Sequence, residues 1–123
     1  MAASLITVVD DDACVRESMS SLLRSVGHAV RVFGSAEELV ASPALDETDC
    51  VITDVRMPGM SGLELQRSLA LSHPRLPVIL MTAHASDEEM RFRALKDGAV
   101  EYLSKPLDEE ALLRAVETVL RGE

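Results

Sequence analysis

The sequence contains few aromatic residues and few cysteines. Its 123 residues include two phenylalanines, one tyrosine and no tryptophan, and its two cysteines form no CxxC or Cys/His pattern. The sequence therefore indicates no zinc site, and we expect Cys14 and Cys50 to be reduced and mostly buried thiols. The glycine-rich patterns GxxxxGK[ST] and GxGxxG are also missing. We therefore expect that the chain does not hold a nucleotide itself.

Positive charge and long apolar runs are scarce as well. Twelve Lys and Arg residues stand against 21 Asp and Glu, a formal net charge of −9. Affinity for phosphate backbones comes mainly from Lys and Arg, so we expect no direct nucleic acid binding by this chain. No apolar run approaches the length of a membrane span, and the N-terminal segment MAASLITVVDDD lacks the features of a signal peptide. These absences predict no contact with a membrane and a cytoplasmic location.

Short apolar runs and helix-like segments alternate along the whole chain. Its length is typical of one domain, and we expect residues 1–123 to form a single domain. Five runs predict strands: Leu5–Val9, Ala29–Phe33, Cys50–Thr53, Val78–Met81 and Val100–Leu103. Three of them are almost continuously apolar, which is typical of parallel strands covered on both faces by helices. The second and fifth runs are more mixed, which favours positions at the edges of a sheet.

Capping residues mark where the intervening helices begin and end. Apolar residues at helical spacing precede Gly27, which is a natural C-terminal stop for the first helix. Three later helices are predicted from a Ser followed three residues later by Glu: Ser35/Glu38, Ser61/Glu64 and Ser86/Glu89. Gly98 would end the third of these, and a last helix would begin after Asp108.

Five repeats of a strand followed by a helix predict an α/β fold with a parallel sheet and right-handed crossovers. The common compact solution at this length is a flavodoxin-like, doubly wound (βα)5 three-layer sandwich with strand order 2-1-3-4-5. In such sheets, functional groups gather outside the carboxyl ends of the strands, near the point where the strand order reverses. The residues that follow each predicted strand are therefore the candidates for a site.

Four of the five predicted strands deliver polar side chains to that edge. The first ends in Asp10, Asp11 and Asp12, the third in Asp54 and the fourth in Thr82, and Lys105-Pro106 follows the fifth. Each residue alone has an ordinary explanation; Asp12, for example, is a good N-cap for the first helix. Three carboxylates in one crevice, however, repel one another unless a cation joins them. Mg²⁺ suits such ligands, and Lys105 and Thr82 suit the oxygens of a phosphoryl group.

Four segments together carry a family resemblance. VVDDD, ITDVRMPGMSGLEL, VILMTAHAS and YLSKPLDEEAL occur in that order and span essentially the whole chain. Together they resemble the receiver domain of a bacterial two-component response regulator. Among receivers the sequence is most similar to the group related to the nitrogen-fixation regulator FixJ, whose members often carry a helix-turn-helix output domain.

The resemblance implies a phosphoryl-transfer site. Asp54 would accept a phosphoryl group from a sensor histidine kinase or from a small donor such as acetyl phosphate. Mg²⁺, for which Mn²⁺ can substitute, would be held by Asp11, Asp54 and the backbone carbonyl of Arg56, with Asp10 acting mainly through a water. Lys105 would pair with the phosphoryl oxygens, and the peptide bond before Pro106 would be cis. Such a domain catalyses only its own phosphorylation and dephosphorylation, so we do not expect a conventional enzyme.

The resemblance also implies a switch. Thr82 would move toward the phosphoryl group, and Tyr102 would turn from an exposed to a buried rotamer. This movement would reshape the surface of the fourth helix, fifth strand and fifth helix, through which receivers form homodimers or contact an output domain. The resemblance further implies that two side chains modulate the lifetime of the phosphoryl group. They are Arg56, two residues past Asp54, and His84, two residues past Thr82.

Several alternatives remain at the level of sequence. We expect no output domain within the chain, which ends at Gly122-Glu123; it would be either a stand-alone receiver acting through protein contacts or the front end of a longer transcriptional regulator. A phosphatase with an Asp nucleophile is disfavoured because Arg56 occupies the place of its second Asp. A flavin-binding electron carrier is disfavoured by the scarcity of aromatic residues. A receiver that signals by binding alone is disfavoured because the set of acids, Thr82 and Lys105 is intact.

Overall fold

The computed structural model describes residues 3–82, 96, 101–104 and 108–121. The strands are β1 (Leu5–Val9), β2 (Ala29–Phe33), β3 (Cys50–Asp54), β4 (Val78–Thr82) and β5 (Glu101–Ser104). The helices are α1 (Ala13–Ser25), α2 (Ala36–Val40), a 3₁₀ helix (Pro43–Glu47), α3 (Gly62–Ser72) and a C-terminal helix (Glu109–Leu120). The helix predicted between Ser86 and Gly98 lies outside the described residues.

The strands form one parallel sheet of order β2-β1-β3-β4-β5, which confirms the predicted α/β fold. The mixed strands β2 and β5 lie at its edges, as their composition predicted. Strands β3 and β4 each run one residue further than predicted. Asp54 therefore pairs with Met81, and Thr82 pairs with Ser104, so both site candidates are held by the sheet ladder itself.

A hydrophobic core covers each face of the sheet. On one face, Ile52 and Ile79 pack in a cluster with Leu23 of α1 and with Leu112 and Val116 of the C-terminal helix. On the other face, a second cluster joins side chains of the strands to α2 and α3, and its members include Val51, Leu80, Leu39, Leu65 and Leu69. All five residues of β3 and of β4 are buried. Because each buried Leu or Ile side chain contributes about 1.5–3 kcal/mol, these two layers strongly stabilise the central strands.

The predicted helix starts are confirmed wherever the structure describes them, with one difference in detail. Asp12 accepts a hydrogen bond from the Cys14 N–H at 2.8 Å, and Asp108 caps the C-terminal helix in the same way. Ser61 and Glu64 form the full reciprocal capping box. At α2, Ser35 accepts the Glu38 N–H as predicted, but the Glu38 carboxylate bonds the Gly34 N–H at 2.9 Å instead of the Ser35 N–H. The two N–H groups are one residue apart, within reach of the same side chain.

One expectation about the cysteines is wrong, one helix was not predicted, and one stop signal is confirmed. Cys50 is buried as expected, but Cys14, in the first turn of α1, is exposed. The 3₁₀ helix was not predicted; Ser42 caps it and Pro43 is its first residue, which is the signal that was available. Gly27 follows α1 with φ of 97°, a conformation that favours glycine. Among the described residues, none of the helices is long and apolar enough to span a bilayer.

Candidate functional site

Three carboxylates converge at the carboxyl ends of β1 and β3. Asp10 is fully buried, Asp54 is 9% exposed and Asp11 is open to solvent. One carboxylate oxygen from each residue lies within 4.8 Å of the others. The structure thus brings together the three acids that the sequence predicted would meet, from segments far apart in the chain. Two of the three carboxylates are thus buried, and the third is exposed to solvent.

The backbone around Asp10 is held by three hydrogen bonds. The Asp10 N–H donates to the carbonyl of Phe33 at 3.1 Å, which extends the pairing of β1 with β2 by one residue. The Asp12 N–H donates to Oδ1 of Asp10 at 2.9 Å, and the Arg16 guanidinium donates to the Asp10 carbonyl at 2.7 Å. These contacts orient the buried carboxylate before any ligand arrives.

On the other side of the cluster, the chain after Asp54 turns back so tightly that a side chain at position 62 has no room. A Cβ on Gly62 would lie 2.2 Å from the Asp54 carbonyl oxygen and 3.0 Å from Cα of Val55. The Gly62 N–H instead donates to the Val55 carbonyl at 2.9 Å, and the Val55 N–H donates to Met81 at 2.9 Å. The sequence motif showed a glycine here, but its reason is this backbone approach, which only the tertiary structure reveals.

Residues 55–61, between Asp54 and Gly62, form a loop that we call the acceptor loop. Arg56 is exposed within it, between the buried Val55 and the half-buried Met57, and its carbonyl is the predicted metal ligand. The carboxylate of Glu37 on α2 accepts the Met60 N–H at 3.0 Å. This hydrogen bond holds the pKa of Glu37 below its ordinary value of 4.5. Sequence reasoning had assigned Glu37 no role.

The remaining predicted residues fall partly outside the described chain. Thr82 is fully buried at the end of β4, and Tyr102 is 7% exposed on β5, in the core cluster that also holds Leu65 and Leu69 of α3. The Tyr102 hydroxyl has no hydrogen-bond partner among the described residues. Tyr102 is therefore buried in this structure. Lys105, Pro106 and His84 lie outside the described residues.

The acidic cluster fits a hard divalent cation. One carboxylate oxygen from each of the three residues lies within 4.8 Å of the other two, so a single cation could lie among them. All three donors are carboxylate oxygens, the ligand type that Mg²⁺ prefers, and the exposed side at Asp11 leaves room for the waters that it retains. The cluster is therefore compatible with Mg²⁺ binding.

The sequence was compared with protein-family models and with curated proteins, and both comparisons match it to response regulators. The family model described as the response regulator receiver domain matches residues 6–117. Nodulation protein W of Bradyrhizobium diazoefficiens is 46% identical over 113 residues, which are 92% of this chain and 49% of that protein. Response regulator protein TodT of Pseudomonas putida is 42% identical over 119 residues, 97% of this chain and 52% of that protein. The chain thus spans about half the length of the curated relatives it matches.

Solved structures agree with the sequence comparisons. The structure titled FixJ-N is 35% identical, has a TM-score of 0.85, and is matched over 98% of this chain and 96% of its own. Response regulator StyR is 43% identical with a TM-score of 0.88, over 98% of this chain and 60% of its own. The resemblance noted in the sequence motifs therefore extends to the whole described fold.

Proposed function

The chain belongs to the response regulator receiver domain family, and on this premise we propose that it accepts a phosphoryl group on Asp54 from a sensor histidine kinase. The observation that carries the proposal is the cluster in which Asp54, 9% exposed at the end of β3, faces Asp10 and Asp11 within 4.8 Å. A carboxylate placed among other carboxylates is unfavourable for folding alone. The same arrangement is useful if a cation and a phosphoryl group are to be bound there.

The proposed reaction is an exchange of one bond for another at phosphorus. A carboxylate oxygen of Asp54 attacks the phosphorus of a phosphohistidine or of acetyl phosphate. The bond from phosphorus to the donor breaks, its electron pair leaves with the donor, and an aspartyl phosphate results. Asp11, Asp54 and the Arg56 carbonyl would hold Mg²⁺ or Mn²⁺, with Asp10 acting mainly through a water. When bound, the ion supplies positive charge that offsets the carboxylates and the phosphoryl oxygens.

The other residues of the site would position charge around the phosphoryl group. Lys105 would pair with its oxygens as a point charge, and the Thr82 hydroxyl would donate to it as a neutral group. Arg56 and His84 would modulate the access of water to the acyl phosphate. Unchanged dephosphorylation rates in Arg56→Ala and His84→Ala variants would remove that modulating role.

The consequence of phosphorylation would be a shift between two states of one surface. Movement of Thr82 would favour the buried position of Tyr102, and the surface of the fourth helix, fifth strand and fifth helix would change with it. We propose that this surface controls homodimerisation or contact with an output domain. FixJ of Bradyrhizobium diazoefficiens, described as a transcriptional regulatory protein, is 38% identical over 94% of this chain. Control of a DNA-binding output in the cytoplasm is accordingly our first choice, and a stand-alone receiver acting through protein contacts is the second.

One experiment tests the phosphoacceptor directly. The protein is incubated with acetyl phosphate and Mg²⁺, and its intact mass is measured beside that of Asp54→Asn. We expect one phosphoryl group on the wild type and none on the variant, and chelation of Mg²⁺ should suppress the gain. Equal gains in both proteins would exclude Asp54 as the acceptor. Absence of any gain with this donor and with candidate histidine kinases would contradict the proposed function.

A further inference from the structure

Glu37 stands on a firmly anchored helix and reaches away from it. Its neighbours Ala36 and Leu39 are fully buried in the core cluster that also holds Val55, so the short helix α2 is fixed against the sheet. The Glu37 side chain itself is exposed. Its Oε2 accepts the Met60 N–H at 3.0 Å, a contact across 23 positions of sequence. One carboxylate therefore links α2 to the acceptor loop.

The tip of the acceptor loop is built around this carboxylate. Gly59, next to Met60, has φ of 77°, a conformation that favours glycine. A Cβ on Gly59 would lie 2.3 Å from Oε2 of Glu37. The carboxylate oxygen thus occupies the space that a side chain at position 59 would need, and the turn at Gly59 directs the Met60 N–H toward it.

The same loop is closed at its base. The Gly62 N–H bonds the Val55 carbonyl at 2.9 Å, and the side chains of Met57 and Met60 pack partly buried against the core. Arg56 lies between the closed base and the tip held by Glu37. The conformation of the Arg56 backbone is therefore determined by constraints on both sides of it.

From this geometry we propose that Glu37 is a positioning residue for the metal site, because its carboxylate holds the acceptor loop in the conformation that presents the Arg56 carbonyl. The inference rests on the proposed function, in which that carbonyl is a metal ligand. A ligand on an exposed loop binds more weakly if the loop must be ordered at the moment of binding. A loop held beforehand avoids that entropic cost, and outer contacts of this kind orient metal ligands in many sites.

The test compares Mg²⁺ affinity in four variants of the full chain with that of the wild type, by NMR titration with the metal alone. Glu37→Ala removes the acceptor, whereas Glu37→Gln keeps an oxygen acceptor but removes the charge. Glu38→Ala and Glu38→Gln are the matched controls, since Glu38 lies on the same turn and bonds the Gly34 N–H instead. Hydrogen exchange of the Met60 amide, measured without metal, reports its hydrogen bond to the Glu37 carboxylate independently of any activity.

We expect Glu37→Ala to raise the dissociation constant for Mg²⁺ by about 3- to 10-fold, less than the roughly 10- to 100-fold typical of direct outer-shell partners. Its Met60 amide should exchange about 10-fold faster, Glu37→Gln should restore most of the affinity, and both Glu38 variants should bind Mg²⁺ as the wild type does. Wild-type affinity in Glu37→Ala, or equal losses in Glu37→Gln and Glu38→Gln, would overturn the inference while leaving the proposed function intact. A wild-type protein that binds no Mg²⁺ would overturn both.

Discussion

The two ends of the central strands use polar residues in opposite ways. Toward the amino ends, polar groups are paired: the Thr7 and Thr48 hydroxyls lie 2.7 Å apart, and His73 meets Asp46 at 2.8 Å. At the carboxyl ends, Asp10, Asp11 and Asp54 gather like charges within 4.8 Å. The first arrangement stabilises the fold. The second opposes folding and makes sense for a site that binds positive charge.

The largest effect expected at the carboxyl end comes from Gly62→Ala. The new Cβ would meet the Asp54 carbonyl at 2.2 Å, and backbone atoms would have to move. We expect the free energy of unfolding in urea to fall by about 3 kcal/mol or more, with a loss of phosphorylation. Gly34→Ala is the control, because its Cβ would find only ordinary contacts from 3.5 Å outward. Equal stability of the two variants would show that the close approach at position 62 is unimportant.

The paired end should respond to loss of a single hydroxyl. Thr7 is fully buried and its hydroxyl meets that of Thr48, so Thr48→Val leaves a buried polar group with one partner fewer. We expect a loss of about 1–3 kcal/mol in the free energy of unfolding, with phosphorylation of the folded protein unchanged. The exposed Thr118 supplies the matched variant Thr118→Val, which should change stability little. A Thr48→Val protein as stable as the wild type would contradict the contrast between the two ends.

Removing a charge from the acidic cluster should increase stability, whereas removing the Thr48 hydroxyl should decrease it. In the absence of divalent metal, Asp11→Asn removes one charge from the cluster and should stabilise the protein by about 1 kcal/mol, since unit charges about 5 Å apart repel by that order even in water. Added Mg²⁺ should then stabilise the variant less than the wild type. Thermal unfolding with and without Mg²⁺ measures both effects. Asp12→Asn is the control, because Asn keeps the helix cap; stabilisation of both variants alike would point to net charge rather than to the cluster.

The two cysteines should differ in their reactivity toward a thiol reagent. Cys14 is exposed beside the acidic end, whereas Cys50 is buried at the start of β3. Burial, with a contribution from the charge of Asp49, raises the pKa of Cys50 from 9.0 to about 12. At pH 8 iodoacetamide should therefore modify one thiol of the folded protein and both after denaturation, as read by intact mass. Modification of a folded Cys14→Ser variant would contradict this assignment.

The raised pKa of Cys50 also predicts that the free energy of unfolding decreases at alkaline pH. The raised pKa means that folding favours the neutral thiol of Cys50, so this contribution to stability is complete below pH 9.0 and is lost as the pH rises toward about 12. A Cys50→Ala variant should show a shallower loss of stability over that window. An equally steep loss would assign the alkaline effect to other groups.

Local signals predicted most of the fold. The apolar runs located β1 and β2 with the bounds that the structure has, and capping residues such as Asp12, Ser61 and Asp108 located helix starts. These features depend on neighbours in sequence, through strand periodicity and hydrogen bonds to the next turn, so a linear pattern records them. The fold class, and the prediction that Asp10, Asp11 and Asp54 would share an edge, followed from the same patterns.

The sequence by itself thus determined the five strands, the starts of the described α-helices and which acids reach the carboxyl edge. Only the tertiary structure decided that Gly62 must be a glycine, that Glu38 bonds Gly34, that Cys14 is exposed and that Glu37 holds the acceptor loop. The physical reason is that each of these features depends on where the folded backbone places residues relative to one another or to solvent. Contacts between segments depend on backbone positions accurate to a few tenths of an ångström, which packing sets and no local pattern encodes.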